Sequence, residues 1–171
     1  MPSAEGFKIY LFHIFFDDYM QKRILLDSSV IVSLIGPDWR GPVTQLRLEE
    51  VKSDSSYKIV SCAVVNSELE GKFPGTLNLY NKYIEEEYPI NSGIAKLART
   101  YIDTVKDICS VSVPRADAII MATATIKEVE IVLTWNFEHM DNIEISNIIK
   151  RINVEKKLKM PWITNPRDFI P

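Results

Sequence analysis

Short apolar runs alternate along this chain with longer stretches of helical spacing, and acidic side chains recur just past the runs. Asp27 follows Ile24-Leu25-Leu26 in RILLDSSVIVSL, and Glu68 follows Ile59-Val60-Ser61-Cys62 in KIVSCAVVNSELEG. Asp117 opens the helical stretch ADAIIMATATIKEVE, and a further run, Glu130-Ile131-Val132-Leu133, ends in Thr134-Trp135-Asn136. The alternation predicts βαβ units: an α/β domain with a mostly parallel central sheet and helices on both faces. In open sheets of this kind, ligands bind in the crevice outside the carboxyl ends of the strands. The spacing therefore sends the acids to one edge of the molecule.

The pattern predicts strands at Ile24–Leu26, Lys58–Cys62, Ile131–Thr134 and, at the sheet's margin, Trp162–Thr164. Helices are expected over Val30–Ile35, with Ser28 or Ser29 as cap, and over Val43–Lys52. Asn66 or Ser67 is expected to cap a helix beginning at Glu68. Gly71, Pro74 and Gly75 interrupt that helix, which resumes over Thr76–Glu87 and stops at Tyr88-Pro89. Ser92–Lys106 places Ile94, Leu97, Ala98, Tyr101, Ile102 and Val105 on one face. Ala116–Lys127 carries small residues suited to close packing, and Ile143–Asn153 is the last helix.

Carboxylates at strand ends, with no phosphate-binding glycine loop, suit a hard divalent cation. Two or three of them can hold Mg²⁺ or Mn²⁺ and leave positions for water and a substrate phosphate, which points to phosphodiester hydrolysis. Asp27 is the expected principal metal ligand and Asp117 a second. Glu68 would bind directly, act through water or orient the nucleophile. Asn136 brings a carbonyl oxygen but no charge, and Ser29 and Thr134 are candidate hydrogen-bond partners for ligands or water. Taken singly, each acid reads equally well as a strand terminator or a first-turn helix acid. Other chemistries find less support. No G-x-G-x-x-G, Walker loop or G-x-S-x-G occurs, His13 and His139 lack ligand spacing, and Trp135 reads as a packing residue.

The chain has 171 residues, 46% of them hydrophobic and 25% charged, which fits one ordered domain. A net charge of −3 excludes a generally basic nucleic-acid binder. Charge is uneven, however. From Lys150 to Pro171, six basic residues stand against Glu155 and Asp168. This is either a solvated surface or a basic flank beside the acidic centre, where a phosphate backbone would lie. Cys62 and Cys109 form no C-x-x-C motif; Cys62 is expected to be a buried thiol, and the pair suits a reducing cytoplasm. Ile9–Phe16 is too short to span a bilayer and makes a poor signal peptide. Residues 1–19 read as an extension or an upstream start, with Met20 a natural beginning for a domain over 20–171.

RILLDSSVIVSL, VNSEL, RADAIIMATA and IVLTWNFEHMDN, in that order, resemble a PIN domain, and within that family the VapC-like ribonucleases of type II toxin–antitoxin pairs. The resemblance covers roughly residues 20–171 and includes the terminal KMPWITNPRDFI. It implies a PIN-like three-layer α/β/α sandwich, Mg²⁺- or Mn²⁺-dependent cleavage of RNA, a homodimer and a cognate antitoxin protein. By motif position the family's acids fall on Asp27, Glu68 and Asp117, and the fourth, often Asp, falls on Asn136. Ile119 and Ile120 stand where related chains often carry a histidine. The expected function is a metal-dependent endoribonuclease, with no membrane association. A non-catalytic RNA- or protein-binding module on the same fold, and an RNA-processing nuclease that is not a toxin, are the alternatives.

Overall fold

The computed structural model describes residues 21–109, 111–136, 140 and 142–171. The expected extension over 1–19, the proposed start at Met20, both histidines and part of the TWNFEHMDN segment lie outside the described residues. Helices and strands alternate from the first described element. β1 (Lys22–Leu26) leads into α1 (Ser28–Ser33) and α2 (Arg40–Ser53). β2 (Tyr57–Cys62) is followed by α3 (Ala63–Lys72), a 3₁₀ turn (Pro74–Thr76) and α4 (Leu77–Tyr83). After β3 (Glu86–Tyr88) come α5 (Ser92–Cys109) and α6 (Arg115–Ile126). β4 (Ile131–Leu133), α7 (Ile143–Glu155) and β5 (Trp162–Thr164) complete the chain. Together they form the three-layer α/β/α sandwich of PIN-like proteins.

The sheet order is β3-β2-β1-β4-β5, and every pairing among the described strands is parallel. Ile24, Leu25 and Leu26 are fully buried on central β1, so both faces of the strand are covered. That is why the run is continuously apolar rather than alternating. α6 is buried on every residue from Asp117 to Thr125, which requires its small side chains. α5 packs along α6 and α7 through Ile94, Leu97, Ala98, Tyr101 and Val105. Gly41 is obligatory for α2: a Cβ there would stand 2.9 Å from the Ser33 carbonyl oxygen.

Two expectations need correction. The helix expected from Glu68 begins at Ala63, directly after β2, with Cys62 at its N-cap position. The apolar Ala63-Val64-Val65 reads as strand in isolation, yet Val65 and Leu69 are buried four residues apart, on one helical face. Likewise, the helix expected to run to Glu87 ends at Tyr83, and Glu86–Tyr88 forms an edge strand. An edge strand has no need of an apolar face, and its glutamates discourage further pairing.

Candidate active site

The strand order reverses at β1, which pairs with β2 on one side and β4 on the other, so the topological switch point lies between β1 and β4. Asp27 stands at that point. Its backbone N–H donates to the Leu133 carbonyl at 3.0 Å, tying the ends of the two strands together. The residue is 3% exposed. Asp27 takes the N-cap position of α1, where Ser28 or Ser29 was expected, but its carboxylate makes no side-chain cap bond to that helix.

The carboxylate is held instead by hydroxyls. Ser29 donates to Oδ2 at 2.5 Å and Thr134 donates to the same oxygen at 2.8 Å. Each hydroxyl is oriented from behind by a backbone donor of the segment after β4. Trp135 N–H donates to Ser29 Oγ at 2.9 Å, and Asn136 N–H donates to Thr134 Oγ1 at 2.9 Å. With those acceptor positions filled, both hydroxyl hydrogens are directed at Asp27. Ser29 and Thr134, expected to serve ligands or water, both donate to a protein carboxylate. Trp135 is buried, donates its indole N–H to Thr44 Oγ1 at 3.0 Å and packs edge-on against Trp39, as a packing residue should.

Glu68 sits on α3, and Ser28 donates to its Oε2 at 2.8 Å. Lys72, one turn further along α3, donates to Oε1 at 2.8 Å. Ser28 Oγ is 3.4 Å from Asp27 Oδ1, so Ser28 links the two acids' surroundings while giving its hydrogen to Glu68. Asp117, in the first turn of α6, is 8% exposed and accepts from Asn136 Nδ2 at 2.8 Å. The expected four residues are thereby joined as two linked sets: Asp27 with Ser29 and Thr134, and Asp117 with Asn136, with Glu68 alongside through Ser28.

Charge in the site is unevenly distributed. Burial pushes the Asp27 carboxyl above the ordinary aspartate value; the Ser29 and Thr134 hydroxyls and the Ser28 backbone N–H oppose this, and the Glu68 charge adds to it. Glu68 moves the other way. Partial burial raises it, but Lys72 and Ser28 together hold it below the ordinary glutamate range. The donors are all hard oxygens, and the innermost, Asp27, is a desolvated carboxylate. That chemistry fits Mg²⁺ or Mn²⁺. Among the described residues, no three Asp, Glu, His or Cys side chains are gathered closely enough to grip one ion together. An ion held by one or two carboxylates and several waters matches this spacing.

The basic C-terminal flank is largely placed elsewhere. Trp162 pairs with Ile131, the first residue of β4, so Lys156, Lys157 and Lys159 precede β5 at the amino edge of the sheet, opposite Asp27. Arg167 follows β5 on the acids' edge, where it pairs with Asp168 at 2.8 Å. Lys72 and Ser28 were not singled out as site residues. Glu68–Lys72 has the i,i+4 spacing of a helical ion pair, so the signal for Lys72 was present in the sequence.

No family model matches the chain, and no curated protein matches it by sequence. Solved structures do. A chain of VapBC-1 from nontypeable Haemophilus influenzae is 15% identical, with a TM-score of 0.57 over 84% of this chain and 98% of that one. A chain of FitAcB from Neisseria gonorrhoeae is 16% identical, with a TM-score of 0.55 over 85% and 99%. A chain of VapBC2 from Rickettsia felis, bound to a DNA fragment from its promoter, is 14% identical, with a TM-score of 0.53 over 84% and 98%. At these identities the likeness is one of fold, and it spans nearly the whole of each similar chain. Among the described residues, no helix is long and apolar enough to cross a membrane.

Proposed function

We propose that this protein is a metal-dependent endoribonuclease, the toxin of a type II toxin–antitoxin pair, acting at the Asp27 edge of the sheet. One observation carries the reading: a nearly fully buried carboxylate at the switch point, with two hydroxyls aimed at one of its oxygens. A charge taken out of water in this way is costly, and a cation bound against its other oxygen offsets the cost. Asp27 would hold Mg²⁺ or Mn²⁺ directly, at most one of Glu68 and Asp117 would join it in direct contact, and the other would act through water. When bound, the ion supplies an activated water and neutralises charge on the phosphate under attack. Ser29 and Thr134 keep Asp27 in one orientation, and Ser28 keeps Glu68 facing the same crevice. Asn136 holds Asp117 through its amide. The similar folds come from VapBC and FitAcB structures, which supports a cognate antitoxin as partner; a homodimer follows from the sequence resemblance alone.

The Asn136 contact also favours a second reading, a binding module that keeps the fold without turnover. There the amide donated to Asp117 takes the place of a fourth acid and reduces the site's demand for a cation. Cleavage of a total RNA pool by inhibitor-free protein, in Mg²⁺, Mn²⁺ or EDTA, separates the two. Metal-dependent cuts that vanish in Asp27→Asn support the nuclease. Intact RNA with both metals, together with RNA binding equal in wild type and Asp27→Asn, supports the module.

A further inference from the structure

The acid crevice repels the phosphates of its proposed substrate, and the lysine-rich stretch before β5 lies at the opposite edge of the sheet. Lys72 is a cation that the fold does bring to the acids. Its ammonium bonds Glu68 Oε1 at 2.8 Å and lies within electrostatic reach of Asp117 on the neighbouring α6. The Lys72 side chain is 65% exposed, against 24% for Glu68, so the ammonium lies on the solvent side of the pair. Glu68 does not depend on Lys72 alone, because Ser28 holds its other oxygen. An exposed i,i+4 pair contributes little to folding. The ammonium can therefore exchange part of its interaction with Glu68 for another anion at small cost.

We propose that Lys72 binds a phosphate of the RNA strand beside the Asp27, Glu68 and Asp117 carboxylates and thereby sets the strand's position against the acids. This rests on the endoribonuclease reading for its substrate and extends it to a residue outside the acid set. Lys72 is a positioning residue: it holds a phosphate as a point charge, while the acids serve the reacting group.

The test uses Lys72→Met and Lys72→Arg in the full-length protein. Binding of a fluorescently labelled, fully 2′-O-methylated single-stranded RNA, which cannot be cleaved, is followed by anisotropy over a range of salt. Steady-state cleavage of unmodified RNA is measured in parallel. For Lys72→Met, affinity is expected to fall roughly three- to tenfold, and the slope of log K against log salt to become shallower by about 0.7, the value for one phosphate contact on a single strand. KM should rise by a similar factor with a smaller change in kcat, Lys72→Arg should restore both, and melting temperatures should match wild type. A wild-type slope and affinity in Lys72→Met overturn the proposal. So does a fall in kcat alone, which would mean that Lys72 only orients Glu68. If wild type cleaves nothing, the nuclease reading fails, and the salt slope still decides whether Lys72 contacts phosphate.

Discussion

Replacing Thr134 by valine removes one of the two hydroxyls that hold Asp27 while preserving side-chain shape. Thr134 is 1% exposed, donates to Asp27 Oδ2 at 2.8 Å and accepts from Asn136 N–H at 2.9 Å. Losing a hydrogen bond to a buried charge costs about 1.5–3 kcal/mol. The Asn136 N–H is only partly buried, so water can replace its acceptor and adds little. A chain of this size loses about 2–4 °C in Tm per kcal/mol, so Thr134→Val should melt roughly 3–12 °C below wild type in metal-free buffer. The loss has a pH signature. Burial already raises Asp27 above its ordinary value of 3.8, against the pull of these hydroxyls. The folded chain thus keeps the Asp27 proton to higher pH than the unfolded chain. Asp27's contribution to stability is therefore greatest in acid and declines as pH rises from the ordinary value to the raised folded one. Removing a donor raises the folded value further and widens that window. The deficit of Thr134→Val should accordingly be largest at neutral pH and shrink as Asp27 becomes protonated. In a cycle with Asp27→Asn, the coupling should be about 1 kcal/mol, because a neutral side chain needs the donor less. Thermal and urea melts of the four proteins, from acid to neutral pH, measure all of this. A neutral-pH Tm within about 1 °C of wild type, or strictly additive effects, would refute the hydroxyl-held carboxylate.

Asn136→Asp replaces the amide donated to Asp117 with a carboxylate facing another. It should destabilise the metal-free protein by about 1–3 kcal/mol and enlarge the rise in Tm on adding Mn²⁺, both read by thermal melts with and without the ion. Tyr101→Phe leaves the fully buried Asn153 without the phenol that donates to its Oδ1 at 2.6 Å, and should cost about 1–3 kcal/mol by urea denaturation, with RNA cleavage unaffected. Burial raises the Cys62 thiol to about 11, so iodoacetamide should label half-buried Cys109 in the native protein and reach Cys62 only on unfolding, as peptide mass mapping would show.

Local pattern was enough for the layered α/β architecture and for the edge on which Asp27 and Asp117 lie. β1 is apolar without alternation because both its faces are covered, and that run can be read directly from Ile24-Leu25-Leu26. α5 was legible because its buried residues repeat at helical spacing. β3 was not, because a two-glutamate edge strand draws its stability from pairing with β2, and no local signal records a partner. The same holds for α3, whose valines favour strand until Val65 and Leu69 find a common core face.

The sequence by itself determined which groups are present: three acids in an order that places two of them at the carboxyl edge of a parallel sheet, a helical Glu68–Lys72 pair, and Asn136 just past β4. Tertiary structure alone decided their partners. Ser29 and Thr134, 105 residues apart, meet on one oxygen of Asp27 only because β4 inserts beside β1. The same insertion carries Asn136 to Asp117, and the parallel return of β5 takes the C-terminal lysines to the far edge. Hydrogen bonds and Coulomb forces act across a few ångströms of space whatever the separation in sequence, so the character of the site depends on strand order, which no local run of residues encodes.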